Sequence, residues 1–176
     1  MKTIKHLVLL TVAFGALTLS SCKKDKKQDP APTGTLTANV DGTATTFNTH
    51  AFAGTGTVLG QTFTTIEGVS AAGDTISVTI AGAIKVGKTY SAAIDGSDNE
   101  PLFLFTPKTG DQFINDDDSA NNKVSLTISS ASSTAVEGTF TGDLVENIIV
   151  IGNGGPTLAK KSVTNGKFSL AIQTHP

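Results

Sequence analysis

From about residue 35 the chain alternates greasy and polar positions in short runs. Leu36, Ala38 and Val40 alternate with Thr35, Thr37 and Asn39, and Ile76, Val78 and Ile80 with Thr75, Ser77 and Thr79. Val124, Leu126 and Ile128 repeat the pattern with Ser125 and Thr127. Val136, Gly138, Phe140, Gly142 and Leu144 do so with Glu137, Thr139, Thr141 and Asp143, and Phe168, Leu170 and Ile172 close the series. A period of two with one apolar face is the mark of half-buried strands. Threonine, the commonest polar partner, favours that conformation. Between the runs stand Asp41-Gly42, Asp95-Gly96, Asn153-Gly154 and Asn165-Gly166, pairs that supply the positive φ of tight turns. Ala71-Ala72-Gly73-Asp74 is placed to join a strand near 61–70 to the one at 75–81.

No twelve-residue stretch of this part has a helical period, so any helix is a single turn, near Asp116–Ala120. Leu102-Phe103-Leu104-Phe105 and Ile148-Ile149-Val150-Ile151 are apolar without alternation. Each reads as a strand covered on both sides or at a sheet corner, or else as an exposed apolar edge that meets a partner. About nine short strands with frequent turns predict an all-β fold, an antiparallel β-sandwich or a partly closed β-barrel.

The first 22 residues follow a different pattern. Lys2 and Lys5 precede the apolar run Leu7–Leu19, and Ser20 and Ser21 precede Cys22, the only cysteine. This is the layout of a secretory signal peptide, with an apolar run shorter than the roughly 20 residues a membrane span needs. Leu19-Ser20-Ser21-Cys22 resembles the bacterial lipobox. That resemblance implies diacylglyceryl transfer to the Cys22 thiol, cleavage before it, and acylation of the new amine. Buried acyl chains contribute about 0.8 kcal/mol per CH₂, and two or three together hold a protein on a membrane. The expected organisation is a cleaved lipoprotein signal peptide at 1–21, a lipidated tether at 22–34, and a single β-rich domain at 35–176. The tether sequence Lys23–Thr33, "KKDKKQDPAPT", is polar and proline-bearing, as a mobile spacer is.

Charge narrows the partners. The chain has 13 lysines, no arginine and 15 acids. Loss of the leader removes two lysines and leaves 11 against 15, a net −4. Beyond residue 30, seven lysines face 13 acids. Such a surface does not suit nucleic acid, whose binding rests on neutralised phosphates. The tether lysines suit either anionic headgroups or plain solvent.

The order of several short motifs resembles the small lipoproteins of Bacteroidota that carry an uncharacterised β-rich domain. The motifs are "SCKKD" at the tether, "LTANVDG", "VGKTYS" (Val86–Ser91), "VEGTFTGDL" (Val136–Leu144) and "VTNGKFSLAI" (Val163–Ile172). The family pattern places an aromatic such as Trp after the first turn. Here Thr43-Ala44-Thr45-Thr46-Phe47 stands instead, and the chain has no Trp. The resemblance implies a lipid-anchored envelope protein, on the outer membrane and on either its periplasmic or its surface side. It implies no activity, no cofactor and no catalytic residue. Surface-export tags in this group are acid-rich after the cysteine, and Lys23-Lys24-Asp25 departs from that.

Candidate chemistry is sparse. After the leader the histidines are His50 and His175. His50 reads as a strand residue, and no GxSxG supports a Ser/His/Asp arrangement around it. Asp95, Asp98, Glu100, Asp111, Asp116, Asp117 and Asp118 make the densest acidic stretch. It lacks the EF-hand spacing, and reads as a solvated loop or a loose calcium site. Sequence cannot give the carboxyl separation that a two-carboxylate glycosidase requires. Glycan binding by aromatic platforms has only Tyr90 and phenylalanines in strand-like runs to draw on. "GNGGP" at 152–156 lacks the strand–helix context of a phosphate loop. The expected role is therefore binding or structural and not catalytic, with a glycan- or small-ligand-binding lipoprotein as the alternative and a hydrolase behind it.

Overall fold

The inward positions of the alternating runs meet across two β-layers. A computed structural model of the protein describes residues 34–91, 100–115, 123–147 and 158–174. Its eleven strands are β1 (Thr35–Val40), β2 (Thr43–Thr46), β3 (Phe52–Val58), β4 (Gln61–Val69), β5 (Thr75–Ala81) and β6 (Thr89–Ser91), then β7 (Leu102–Thr106), β8 (Phe113–Asn115), β9 (Ser125–Ala131), β10 (Ala135–Glu146) and β11 (Lys160–Thr174). The described part is all-β and has two strands more than the sequence pattern suggested. The difference lies in short elements: β2, β6 and β8 are three or four residues long, too short for alternation to announce them.

All eleven strands belong to one sheet, in which β2-β1-β11-β10-β9-β6, here called the first layer, and β3-β4-β5-β7-β8, the second, are each a run of neighbouring strands. Two corners join them. The end of β11 pairs with β3, Ile172 opposite Ala53, and the end of β10 pairs with β8, Leu144 opposite Asn115. The result is one sheet whose strands β11-β3-β4-β5-β7-β8-β10 connect in a ring, as in a sandwich joined at both edges or a partly closed barrel. The expected antiparallel order holds except at the β3–β11 corner, which is parallel. That exception follows from chain direction: β11 is antiparallel to β1, and β3 takes the place beyond the start of β1 on the same edge of β11.

The core follows the alternation. Leu36 and Ala38 of β1, Ile66 of β4, Ile76, Val78 and Ile80 of β5, Leu126 and Ile128 of β9, and Val136, Phe140 and Leu144 of β10 are all buried. The layers touch through rings: Phe103 of β7 lies 5.7 Å from Phe140 of β10, and Phe140 lies 6.3 Å from Phe168 of β11. Leu102–Phe105 is the interior strand between β5 and β8. Phe103 and Phe105 point to the core and Leu102 and Leu104 are half-buried on the outer face. It is thus a strand covered on both sides, not an exposed edge. Ile148–Ile151 lies outside the described residues.

Asp41-Gly42 makes the expected turn, with φ of 50° and 79°. Asn165-Gly166 does not. It sits inside β11, with Asn165 at φ 53°. Phe140 pairs with Gly166 but Gly142 with Val163, so an extra residue bulges out opposite Thr141. The positive φ that the pair supplies bends a long strand and does not reverse the chain. Asp95-Gly96, Asn153-Gly154 and the helical turn expected at Asp116–Ala120 fall outside the described residues.

Candidate functional site

The turns that end β1, β4 and β7 gather at one end of the sandwich, and a cleft opens among them. It is lined by Val40, Asp41, Thr43 and Thr45 of the β1–β2 hairpin, Asp74 of the β4–β5 turn, and Phe105, Pro107, Thr109, Asp111 and Phe113 around the β7–β8 connection, with Lys161 of β11. Its volume is about 470 Å³, within the range of small-molecule sites. Three carboxylates and one ammonium face it, so its wall is net negative.

Each charged side chain is held in place by its own bonds. Lys161 Nζ lies 2.7 Å from Asp41 Oδ2, and Asp41 Oδ1 accepts the Ser162 backbone N–H at 2.9 Å. Partial burial alone raises the Asp41 pKa. The Lys161 hydrogen bond, the Ser162 N–H and the Lys161 charge together outweigh it and bring the carboxyl below its ordinary 3.8. The Lys161 stem crosses the cleft floor, its Nζ 5.6 Å from the Phe113 ring centre. Asp74 accepts the Lys108 N–H on Oδ1 at 3.0 Å and the Ser70 hydroxyl on Oδ2 at 3.2 Å. It therefore ties two turns into one wall. Asp111 Oδ2 accepts the Thr109 hydroxyl at 3.2 Å.

These carboxyl groups accept hydrogen bonds and keep lone pairs to spare, beside threonine hydroxyls that can donate or accept. The arrangement suits a ligand rich in O–H or N–H donors. Phe105 and Phe113 are only 4% and 5% exposed, so they floor the cleft with ring edges and offer no stacking platform. Among the described residues no group of three or more His, Cys, Asp or Glu side chains is placed to hold a metal ion.

The sequence-derived candidates scatter. Of the acidic stretch, Asp111 lies in the cleft while Glu100 accepts a hydrogen bond from Asn115 Nδ2 at 2.9 Å, away from it. Asp95, Asp98, Asp116, Asp117 and Asp118 lie outside the described residues, as do Cys22, His175 and the Gly152–Pro156 loop. His50 is not in a strand: it stands in an exposed turn before β3, because the chain must cross from the Asn48–Val69 bridge into β3 there. Tyr90 is 2% exposed. Its hydroxyl accepts the Lys85 N–H at 3.3 Å, which removes it as a sugar platform. Asp41 and Asp74 read in the sequence only as turn residues, and Lys161 gave no signal. These residues meet through strand register, since Asp41 and Lys161 are 120 positions apart.

One acid stands apart on the outer face of the second layer. Glu67 of β4 lies between Phe52 of β3 and Ser77 of β5 in the pairing. Burial pushes its carboxyl pKa above the ordinary 4.5.

No family model, curated protein or solved structure matches the chain.

Proposed function

We propose that the protein is a lipid-anchored envelope lipoprotein whose β-domain holds a small polar ligand, such as the end of a glycan, without transforming it. Leu19-Ser20-Ser21-Cys22 at the exit of the apolar leader supports acylation at Cys22. The likeness to the Bacteroidota lipoproteins supports an outer-membrane address. The observation that carries ligand binding is the cleft itself. Seven hydrogen-bonding side chains, Asp41, Thr43, Thr45, Asp74, Thr109, Asp111 and Lys161, converge on it from four segments of chain.

The electrostatics favour recognition over proton transfer. The lowered pKa of Asp41 makes it a poor general base. Asp74 accepts from Ser70 of its own turn and from the Lys108 N–H of the β7–β8 turn, and Asp111 from Thr109, which fixes their positions before a ligand arrives and lowers the entropic cost of binding.

Calorimetry with a panel of saccharides and amines tests this reading. Saturable binding is expected for at least one member, weakened about tenfold by Thr43→Val/Thr45→Val, the loss of a hydrogen bond or two at about 1 kcal/mol each. No saturable heat across the panel would leave a scaffold role in its place.

A further inference from the structure

The two ends of the sandwich differ in chemistry, and strand direction says which one faces the anchor. The described chain enters the fold at Gly34. β1 runs antiparallel to β11, Thr35 opposite Ser169, so the chain enters from the end toward which β11 runs. β3 lies parallel to the last residues of β11, Thr55 opposite Thr174, and continues the same way to Val58. The β3–β4 apex, Leu59-Gly60, therefore projects at the end where the tether joins. β5, antiparallel to β4, also finishes there at Ala81, and residues 82–88 carry the chain on to β6.

The large hydrophobics that stand exposed among the described residues are both in these segments: Leu59 at 96% and Val86 at 57%. Lys85 and Lys88 flank Val86, and no charged residue occurs between His50 and Glu67. Leu59 also has φ of 50°, a conformation that glycine, asparagine or aspartate adopts with less strain. A leucine there is disfavoured by its backbone and by its exposure, with nothing in the described fold to offset either. Single exposed apolar side chains are ordinary. Two at the tether end, one of them with lysines beside it in the chain, make the apolar tip and basic flank of an interfacial contact. The acids Asp41, Asp74 and Asp111 are at the opposite end, around the cleft.

Distance permits the contact. Register places Leu59 nine residue steps beyond Thr35 (Ser169 to Thr174, then Thr55 to Leu59), about 30 Å along the strands. The thirteen steps from Cys22 to Thr35 span up to about 43 Å when extended.

We propose that this end is a membrane-docking face, with Leu59 inserted into the leaflet that holds the anchor and Lys85 and Lys88 at its headgroups. The acidic cleft then points away from the bilayer. The proposal rests on the Cys22 anchor, so its test reads anchor and docking separately. The chain has no Trp, and Leu59→Trp gives one reporter at the apex. Ala72→Trp gives another in the exposed β4–β5 turn at the cleft end, and controls for the affinity of Trp itself for interfaces. The full chain, purified from membranes, is reconstituted in vesicles containing anionic phospholipid, with and without brominated acyl chains. Intact mass reports the acyl group, and circular dichroism melts confirm that both variants fold.

The expected result is blue-shifted, bromolipid-quenched emission from Leu59→Trp and neither change from Ala72→Trp. Water-like, unquenched emission from Leu59→Trp in an acylated, vesicle-bound chain overturns docking and leaves the anchor standing. Emission unquenched by bromolipid yet shielded from iodide in native envelope membranes overturns it in favour of a protein partner. If Cys22 carries no acyl group, the anchor fails. The same vesicles added to the soluble chain then decide docking by the same quenching.

Discussion

Replacing Gly138 by alanine probes the closeness of the two central strands of the first layer. Gly138 sits on the inward face of β10. Glu137 pairs with Ser130 but Gly138 with Ile128, so Ser129 bulges and draws the β9 backbone under β10. A Cβ on Gly138 would lie 2.2 Å from the Thr127 carbonyl oxygen and 2.5 Å from Phe168 Cζ. Relief needs a movement of about 1 Å to restore ordinary contact. The obstacle is partly backbone, and the Phe168 ring is 4% exposed and packed beside Phe140. Overpacking of this kind costs about 1–3 kcal/mol, and the backbone clash puts Gly138→Ala at the upper end. The reduced freedom of the unfolded chain returns about 0.4–1 kcal/mol. A net loss of about 2–2.6 kcal/mol corresponds to roughly 8–10 °C in melting temperature for a domain of this size. Gly56→Ala is the matched control, since a Cβ there meets nothing within 4 Å; it should leave stability unchanged or raise it. Thermal melts of both by circular dichroism make the comparison. A Gly138→Ala protein melting within about 2 °C of wild type would refute the close packing of β9, β10 and β11.

Glu67 and Asp41 give pH dependences of opposite sign. Burial raises the Glu67 pKa above 4.5, so its contribution favours the fold below 4.5 and is lost as pH rises through the folded value. Glu67→Gln should raise the melting temperature at pH 7 and flatten the stability profile above pH 4.5. An unchanged profile would contradict its burial. Asp41, held below 3.8, contributes above that pH and loses its contribution as pH falls through its lowered value. Its pair with Lys161 is 31% and 45% exposed, so Asp41→Asn should cost about 1 kcal/mol or less near neutrality. Asn115 is 7% exposed, and its Oδ1 accepts the Phe103 N–H at 3.0 Å. Asn115→Ala strands that donor and should cost about 1–3 kcal/mol in urea unfolding.

The strands were legible where one face is solvated. In β10 the alternation of Val136 to Leu144 matches burial residue by residue, because its outer side is exposed among the described residues. The β7 run "LFLF" hid its period, since the outward Leu102 and Leu104 are half-covered as well. Asn165-Gly166 misled because the same positive φ serves a turn and a bulge, and only the pairing partners of Phe140 and Gly142 distinguish them. The cleft was not legible. Asp41 and Asp74 look like turn chemistry in sequence, and they are turn chemistry. Their second property, facing Asp111 and Lys161, arises from the ring of strand pairings.

That arrangement separates an acidic, hydroxyl-lined end from the end that bears the exposed Leu59 and Val86, where the described chain begins. The proposed placement of ligand capture and docking at the cell envelope rests on an acylated Cys22. Intact mass of the chain extracted from membranes tests this most directly. The account predicts a polypeptide beginning at Cys22 and heavier than its sequence by a diacylglyceryl group and a further acyl chain. A chain still bearing its leader, or one cleaved and without lipid, would contradict it.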